Sequence, residues 1–391
     1  MSLTKGSIRT QLLLQKYSLS TPCQISAIRR NGKPSSYVSV TPRPFQSGRF
    51  ARRIWKLWIR IFIICILINL WHLRYVVNQY KKSHDNVEEI IAIIGIQAIQ
   101  ILRLSTYTLF EKHASDMSFV MTELFKLVQM DNRKVTERCC EKKELAIYAF
   151  GLSFLAFPAA LGTLPLIRDY VPITQLILTA LPITYRNEVS KKIIMGGVSL
   201  FNLIAGCHSA GAILFLILMC ISIGDCTIIL SSRLKLMSDV TILRNEDSLN
   251  RFRKCLRIYR LLQILTSISC DTTKYFFGML VASAAIFNAS CAYFAIFEQL
   301  PFFMYVASML IVILDFAINF LLVGLASIPN KDGKIFTTNW RGVGVKKIRM
   351  ELRSCSQIGF AVGMISNVTA TSALSIADIF LNSIATLALM G

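Results

Sequence analysis

The chain has 391 residues, of which 54% are hydrophobic, and a formal net charge of +21 at pH 7. This apolar content is typical of a helical protein that crosses a membrane several times. The basic residues are spread over separated segments without interleaved aromatic residues, which argues against nucleic acid as a partner. We expect these basic residues to interact with the anionic headgroups on the cytoplasmic side of the lipid bilayer.

The amino-terminal residues, 1–54, are rich in Ser, Thr, Pro and basic side chains and lack a periodic apolar face. We predict that they form a mostly disordered cytosolic tail. The first apolar run begins only at residue 55, so we expect it to act as an uncleaved signal-anchor. The remainder, 55–391, is predicted to be one transmembrane domain of seven helices.

Seven strongly apolar stretches follow the tail, and each approaches or exceeds the roughly 20 residues that a helix needs to cross the hydrocarbon core. They are 55–78, 88–110, 145–167, 193–230, 272–298, 302–328 and 370–390. Residues 1–60 hold twelve lysines and arginines, whereas the fifth gap and the residues after 370 hold none. Because cytoplasmic loops retain these residues, we predict an all-α polytopic membrane protein with its amino terminus inside and its carboxyl terminus outside.

Two predicted cytosolic gaps have helical patterns of their own. In the second gap, apolar residues recur at helical spacing between Met117 and Leu127. The fourth gap repeats this pattern between Leu256 and Ile268, and we expect the fifth helix to begin near residue 245. Several helices are therefore expected to extend into the cytosol and to pack there as a membrane-proximal bundle.

The stretch 193–230 is longer than one membrane crossing requires. It is either a hairpin of two short spans or one span that continues into the cytosol. We favour the single helix, because a hairpin would break the alternation of basic and non-basic gaps.

The last span combines an apolar helix with a polar stripe. Its polar residues fall within an arc of about 80° on an ideal helix. They are Thr371, Ser375, Asp378, Asn382 and Thr386, and Leu389 lies on the same stripe. Such a stripe must face water or another polar surface, because polar groups that face hydrocarbon are costly. Contact with a neighbouring helix is one explanation. The other is a pore shared by three or four copies, in which a ring of Asp378 carboxylates attracts cations.

Two further intramembrane residues are ionisable. Asp315 lies in the sixth span, and Lys274, near the inner end of the fifth, is a candidate partner for a structural ion pair. His208 lies among small residues in the fourth span, where it either bonds across a tight helix contact or lines a ligand cavity.

The carboxyl-terminal region resembles the insect-type chemoreceptors, the superfamily of gustatory and odorant receptors and their gustatory-receptor-like relatives. The resemblance rests on Thr337-Thr338-Asn339-Trp340, on the basic helix from Lys346 to Arg353, and on Gly359-Phe360-Ala361-Val362-Gly363 before the final span. Gustatory members end in Thr-Tyr, five hydrophobic residues and Gln-Phe. The last nine residues here keep the length and the apolar middle without those signature residues, as in a divergent gustatory-receptor-like member.

This resemblance implies a ligand-gated, non-selective cation channel of the plasma membrane, built as a homo- or heterotetramer. The eleven cysteines lack metal-binding spacing, so we expect no metal site, and we expect no cofactor. The seventh helix would line the pore, and a pocket in the outer half of helices 2 to 6 would bind a small-molecule ligand. The pocket candidates by position are Phe157, His208, Tyr293, Phe294, Phe297, Phe303 and Tyr305.

Three other classes of protein remain as alternatives: a G-protein-coupled receptor, a secondary transporter and a membrane scaffold without transport. A G-protein-coupled receptor would need its amino terminus outside, opposite to the predicted orientation. A secondary transporter would be expected to show internal repeats, which the sequence lacks. An enzyme is not expected, because no nucleophile elbow, zinc-protease motif or phosphate-binding glycine loop is present.

Overall fold

We describe the protein from a computed structural model. It describes residues 23–30, 33–42, 49–83, 87–129, 188–235, 246–297, 302–339, 350–351, 357–361 and 368–390, with Ile177, Pro182 and Cys355 as single residues. The predicted third span, 145–167, lies outside the described residues.

Six helices make up most of the described chain. They are α1 (Arg49–Ser83), α2 (Val87–Gln129), α3 (Glu188–Lys235), α4 (Glu246–Phe297), α5 (Phe302–Asn339) and α6 (Ala370–Met390). Each contains one of the six predicted spans that fall on described residues, so the helical, polytopic fold is confirmed. Within the described residues, α1 to α4 each contain a stretch long and apolar enough to cross a membrane. The count of seven spans and the orientation stay predictions.

A β-hairpin precedes the helices, in the tail that we predicted to be mostly disordered. Strand β1 (Cys23–Arg30) pairs antiparallel with β2 (Lys33–Pro42), with an irregular register between Ala27 and Arg29. The strands are separated by Asn31-Gly32, a dipeptide strongly favoured in two-residue hairpin turns. Strand β2 packs against α2.

The helices are much longer than a bilayer requires. Helix α3 has 48 residues and α4 has 52, so they are roughly 70 to 80 Å long, against a hydrocarbon core of about 30 Å. The prediction of one continuous helix over 193–230 is confirmed, as is a fifth predicted helix that begins near residue 245. We call the end of the bundle that holds Leu124, Tyr259 and Gly333 the inner end, because the charge distribution predicts that it faces the cytosol.

The hydrophobic core of the bundle continues into the inner end. On α2, Met117, Val120, Met121 and Leu124 are buried, which confirms the apolar face predicted for the second gap. On α4, Leu256, Leu262 and Leu265 are buried, while Arg257 is exposed. Cys226 of α3 donates a weak hydrogen bond to the carbonyl of Leu124. The inner parts of α2, α3 and α4 therefore pack on one another, as expected for helices that extend beyond the membrane.

An aromatic cluster joins α1, α2 and α3 at the level where α1 begins its span. Trp55 of α1 donates a hydrogen bond from Nε1 to the carbonyl of Tyr107, 3.1 Å away, and their ring centroids are 4.4 Å apart. Trp58 stacks on Phe201 of α3 with centroids 5.3 Å apart. Phe62 fills the space between them and is fully buried. These rings fix which face of α1 turns toward the bundle.

A buried charge lies one turn from this cluster. Arg103 of α2 is only 2% exposed, and its two terminal nitrogens donate to Asn202 of α3, at 2.9 Å to Oδ1 and 3.2 Å to the backbone oxygen. Among the described residues its Nε has no hydrogen-bond partner. Since a buried guanidinium without partners is costly, the contact with Asn202 holds α2 and α3 in register.

We predict that Asn202→Leu destabilises the protein by about 3 kcal/mol or more, because it leaves most of the Arg103 guanidinium buried without acceptors. The double variant Arg103→Leu/Asn202→Leu is expected to recover much of this loss, since it removes the charge and its partner together. Thermal unfolding of the purified protein in detergent measures both. A double variant less stable than Asn202→Leu alone would contradict this interpretation of the pair.

Candidate functional site

Helix α6 begins at a hydroxyl-rich cap. The backbone nitrogen of Thr369 donates to Oγ of Ser372, 3.0 Å away, while the Ser372 nitrogen donates to the Thr369 carbonyl, also at 3.0 Å. The hydroxyl groups of Thr369 and Thr371 are 2.7 Å apart. This reciprocal pairing satisfies backbone groups that a helix start leaves open, and it sets where α6 starts.

The polar stripe of α6 faces away from the described helices of its own chain. Helix α6 packs against α4 and α5, and Phe380 is 2% exposed with its ring edge-on to Phe316 of α5, at a centroid distance of 5.7 Å. On the helix, Phe380 lies about 180° from Thr371. The five polar residues of the stripe are exposed, namely Thr371, Ser375, Asp378, Asn382 and Thr386. Among the described helices, the stripe therefore does not serve as a contact within one chain.

The hydroxyl groups and the acid of the stripe differ in their bonding. Ser375 and Thr386 donate to carbonyls one turn earlier on α6, at 3.3 Å and 2.7 Å. No hydrogen bond or ion pair joins Asp378 to another described residue. The carboxylate is thus the strongest acceptor left open along this surface. The side chain of Leu389, the sixth residue predicted on the stripe, lies outside the described part.

Large apolar residues border the stripe on both sides. Leu374 and Leu381 are 66% and 63% exposed on one edge, and Ile379 is 50% exposed on the other. On an ideal helix these residues lie roughly 60° to 100° from the centre of the stripe. An exposed helix face with a polar centre and apolar borders is suited to contact neighbouring copies at the borders and water at the centre.

Asn330 links the start of α6 to the inner end of α5. Its side-chain nitrogen donates to the carbonyl of Val368, 3.0 Å away and two residues before α6 begins. Its side-chain oxygen and its backbone oxygen both accept hydrogen bonds from Nε2 of Gln357. The Val368 nitrogen in turn donates to the carbonyl of Phe360 at 2.6 Å. One amide on α5 therefore holds both ends of the segment that enters α6.

The same segment also packs closely on α5, at Gly333, and on α4. A Cβ added to Gly333 would lie 3.3 Å from the backbone nitrogen of Ile358 and 3.5 Å from the hydroxyl of Tyr259. Cys270 donates to the carbonyl of Gly359, 3.2 Å away. Burial raises the pKa of the Tyr259 hydroxyl above its ordinary value, so this group stays protonated within the inner bundle. We call residues Tyr259, Asn330, Gly333 and 357–361 the inner junction.

Three of the predicted pocket residues have described side chains. Tyr293 is buried on α4, and its ring meets that of Phe294 edge-on with centroids 6.0 Å apart. Tyr305, on α5, is 41% exposed. Phe157 and the side chains of His208, Phe297 and Phe303 lie outside the described part, so the ligand pocket stays a prediction.

Lys274 has an acidic neighbour on its own helix, and its predicted ion pair with Asp315 stays a prediction. Its Nζ lies 3.6 Å from the carboxylate of Asp271, one turn earlier on α4, and 5.3 Å from the ring centroid of Tyr275. The side chain of Asp315 lies outside the described part. Among the described residues, no three His, Cys, Asp or Glu side chains cluster closely enough to hold a metal ion.

Sequence reasoning missed three buried polar residues. Arg103 lies within a predicted span, and a charge there is a signal that could have been used. Asn330 follows Pro329 inside α5, and a proline within a helix interrupts the backbone bonding near it. Asn288, fully buried on α4, has no partner for either side-chain atom among the described residues. The tertiary partners of Arg103 and Asn330 are long-range and leave no local pattern.

The sequence matches no protein-family model and no curated relative. The structure, however, is similar to that of the insect olfactory receptor OR5 from Machilis hrabei in complex with eugenol, with a TM-score of 0.64 and 14% identity. The match covers 100% of this chain and 99% of the receptor. A second structure of OR5 matches with a TM-score of 0.59 and 14% identity, and this match covers 98% of this chain and 97% of the receptor. The predicted resemblance to insect chemoreceptors is thus confirmed at the level of the fold.

We predict that Asn330→Leu weakens the inner junction, because it leaves the Val368 carbonyl and the Gln357 amide without their partner. The expected loss of stability is about 1 to 3 kcal/mol. Hydrogen exchange should rise locally over 357–361 and at the start of α6, with the aromatic cluster of α1 and α2 unaffected. The matched control is Asn319→Leu, another buried asparagine on α5. Equal exchange changes around the junction in both variants would contradict a specific role for Asn330.

Proposed function

We propose that this protein is a chemosensory receptor that acts as a ligand-gated, non-selective cation channel of the plasma membrane. The observation that carries the proposal is the polar stripe of α6, which is exposed and turned away from the bundle to which it belongs. The similarity in fold to an olfactory receptor solved with a small molecule supports a small organic ligand for this chain as well.

A single copy cannot enclose a conduit with one helix, so the proposal requires an assembly. Cyclic symmetry would bring the stripes of several α6 helices to a common axis, with four copies expected from the resemblance. The apolar borders at Leu374, Leu381 and Ile379 would then contact the neighbouring copies. Assembly removes the cost of exposing five polar side chains to lipid, because the stripe faces water instead.

The chemistry of the stripe favours cations. Its one charged group is Asp378, and the other four polar side chains carry neutral hydroxyl or amide groups. A ring of carboxylates in a narrow, low-dielectric conduit concentrates cations and repels anions. Ligand binding in the outer half of the bundle would shift α4 and α5, to which α6 is packed, and so widen the conduit.

We predict that Asp378→Ala reduces cation conductance several-fold, since it removes every carboxylate of the ring at once. The measurement is the single-channel current in oocytes challenged with a panel of small organic compounds, with the reversal potential under a salt gradient. The control is Asp116→Asn, which removes an exposed carboxylate from the inner part of α2. Unchanged conductance and selectivity in a conducting Asp378→Ala channel would remove α6 from the pore.

A second prediction does not depend on an agonist. In purified assemblies, Asn382→Cys should react with a hydrophilic maleimide faster than Leu381→Cys, because the stripe faces water and its border contacts a neighbouring copy. The rates are compared with that of the parent protein, so that native cysteines are subtracted. Equal maleimide reaction rates at the two adjacent positions would contradict the assignment of the stripe to the lining of a conduit.

A further inference from the structure

The beginning of α1 carries its charge on one face. Five basic residues fall within an arc of about 100° on an ideal helix. They are Arg49, Arg52, Arg53, Lys56 and Arg60. Arg53, Lys56 and Arg60 are exposed, and none of the three has an acidic partner among the described residues.

The opposite face of this segment is locked into the bundle. Trp55 is 7% exposed and Phe62 is fully buried, and both contact Tyr107 of α2. Trp58 lies about 180° from Arg49 and stacks on Phe201. Since α1 cannot rotate without breaking this cluster, the basic face is held outward.

The outward face of α1 changes its chemistry within one turn. After Arg60 it continues with exposed apolar residues, from Ile63 at 42% exposure to Trp71 at 62%. The members of this apolar stretch are Ile63, Ile64, Leu67, Leu70 and Trp71. An exposed apolar face of a membrane helix is covered by acyl chains, so the basic residues just below it lie at the level of the headgroups.

Membrane topology alone does not explain this arrangement. The preference for basic residues at cytoplasmic ends counts charges and is indifferent to the face on which they lie. Here the five basic positions of residues 49–60 share one arc of the helix, and the remaining positions are apolar. A one-sided cluster is instead suited to hold a single multivalent anion.

We propose that the outward face of α1 binds a phospholipid with a polyanionic headgroup, of the phosphoinositide class, from the cytoplasmic leaflet. Arg53, Lys56 and Arg60 contact its phosphates, and the acyl chains lie along Ile63, Ile64 and Leu67. Three exposed cations without acidic partners match a headgroup with several phosphate charges better than one with a single net charge. Arginine binds phosphate oxygens through paired hydrogen bonds, which favours a phosphate ester over a carboxylate headgroup.

Helix α4 offers a matched control surface. Arg253, Lys254 and Arg257 add three cations to its inner part, of which Lys254 and Arg257 are exposed. Because Gly95 of α2 packs against Ser290, the level of Tyr107 corresponds to about residue 278 of the antiparallel α4. Arg257 therefore lies roughly 30 Å deeper than the basic face of α1, several times the screening length of about 8 Å at physiological salt.

The test uses the full-length protein in nanodiscs of phosphatidylcholine with a small fraction of phosphatidylinositol 4,5-bisphosphate. Native mass spectrometry and titration with a fluorescent form of that lipid give the amount bound and its affinity. We expect Arg53→Gln/Lys56→Gln/Arg60→Gln to weaken the lipid affinity by roughly two orders of magnitude. Each basic residue removed is expected to lower the affinity by somewhat less than about tenfold. The triple variant Arg253→Gln/Lys254→Gln/Arg257→Gln is expected to bind as the parent does.

Membrane insertion of the α1 variant is checked first. Nine of the twelve basic residues in 1–60 remain, which is enough to retain the orientation, and the melting temperature should stay close to that of the parent. Unchanged lipid affinity in the α1 variant, or an equal loss in the α4 variant, would overturn the proposal. So would equal affinity for phosphatidylserine, or for soluble inositol trisphosphate, because the site requires both a polyanionic headgroup and acyl chains.

Discussion

The free-energy cost of placing polar groups against hydrocarbon determines how polar side chains are arranged along the length of the bundle. At one level the cost is met inside a single chain, where Asn202 accepts both hydrogen bonds from the buried Arg103. On α6 it is not met inside the chain, because the whole polar stripe is exposed. The two cases differ in location: Arg103 lies between two helices of the bundle, whereas the stripe lies opposite the one face of α6 that packs. A lipid environment makes the second arrangement unstable for an isolated copy, and this is the physical argument for assembly.

The inner end of the bundle decides where α6 begins. The segment before α6 is held by Asn330 of α5 and by a close backbone contact at Gly333, and it also receives a hydrogen bond from α4 through Cys270. Since α4 and α5 both continue as helices from this junction toward the predicted outer half, a shift of either helix is expected to move the start of α6. The inner junction thus connects the outer half of the bundle, where a ligand is expected, to the candidate pore helix. The position of the polar stripe depends on a few hydrogen bonds far from it.

The similarity to an olfactory receptor at 14% identity shows how little of the sequence this fold requires. Helix length, the sequence of apolar spans and a basic inner end are properties that many different residues can provide. The residue types at individual contacts are also weakly constrained. An aromatic cluster such as that of Trp55 and Tyr107 can be replaced by other apolar residues of similar volume. The function proposed for this chain therefore rests on its own side chains, Asp378 above all, and not on the shared fold.

Much of the architecture follows from the sequence alone. The apolar spans on described residues, the continuous helix over 193–230 and the polar face of the last span were all predicted, because helix geometry relates neighbouring residues by a fixed rotation of about 100°. The hairpin at 23–42 was missed, although Asn31-Gly32 between two β-rich runs is a local signal for it. Only the tertiary structure decided that the stripe turns away from its own bundle, that Asn202 receives Arg103, and that Asn330 holds the entry to α6. These depend on how distant helices are rotated and aligned against one another, and residues 99 or 38 positions apart along the chain carry no local mark of their contact.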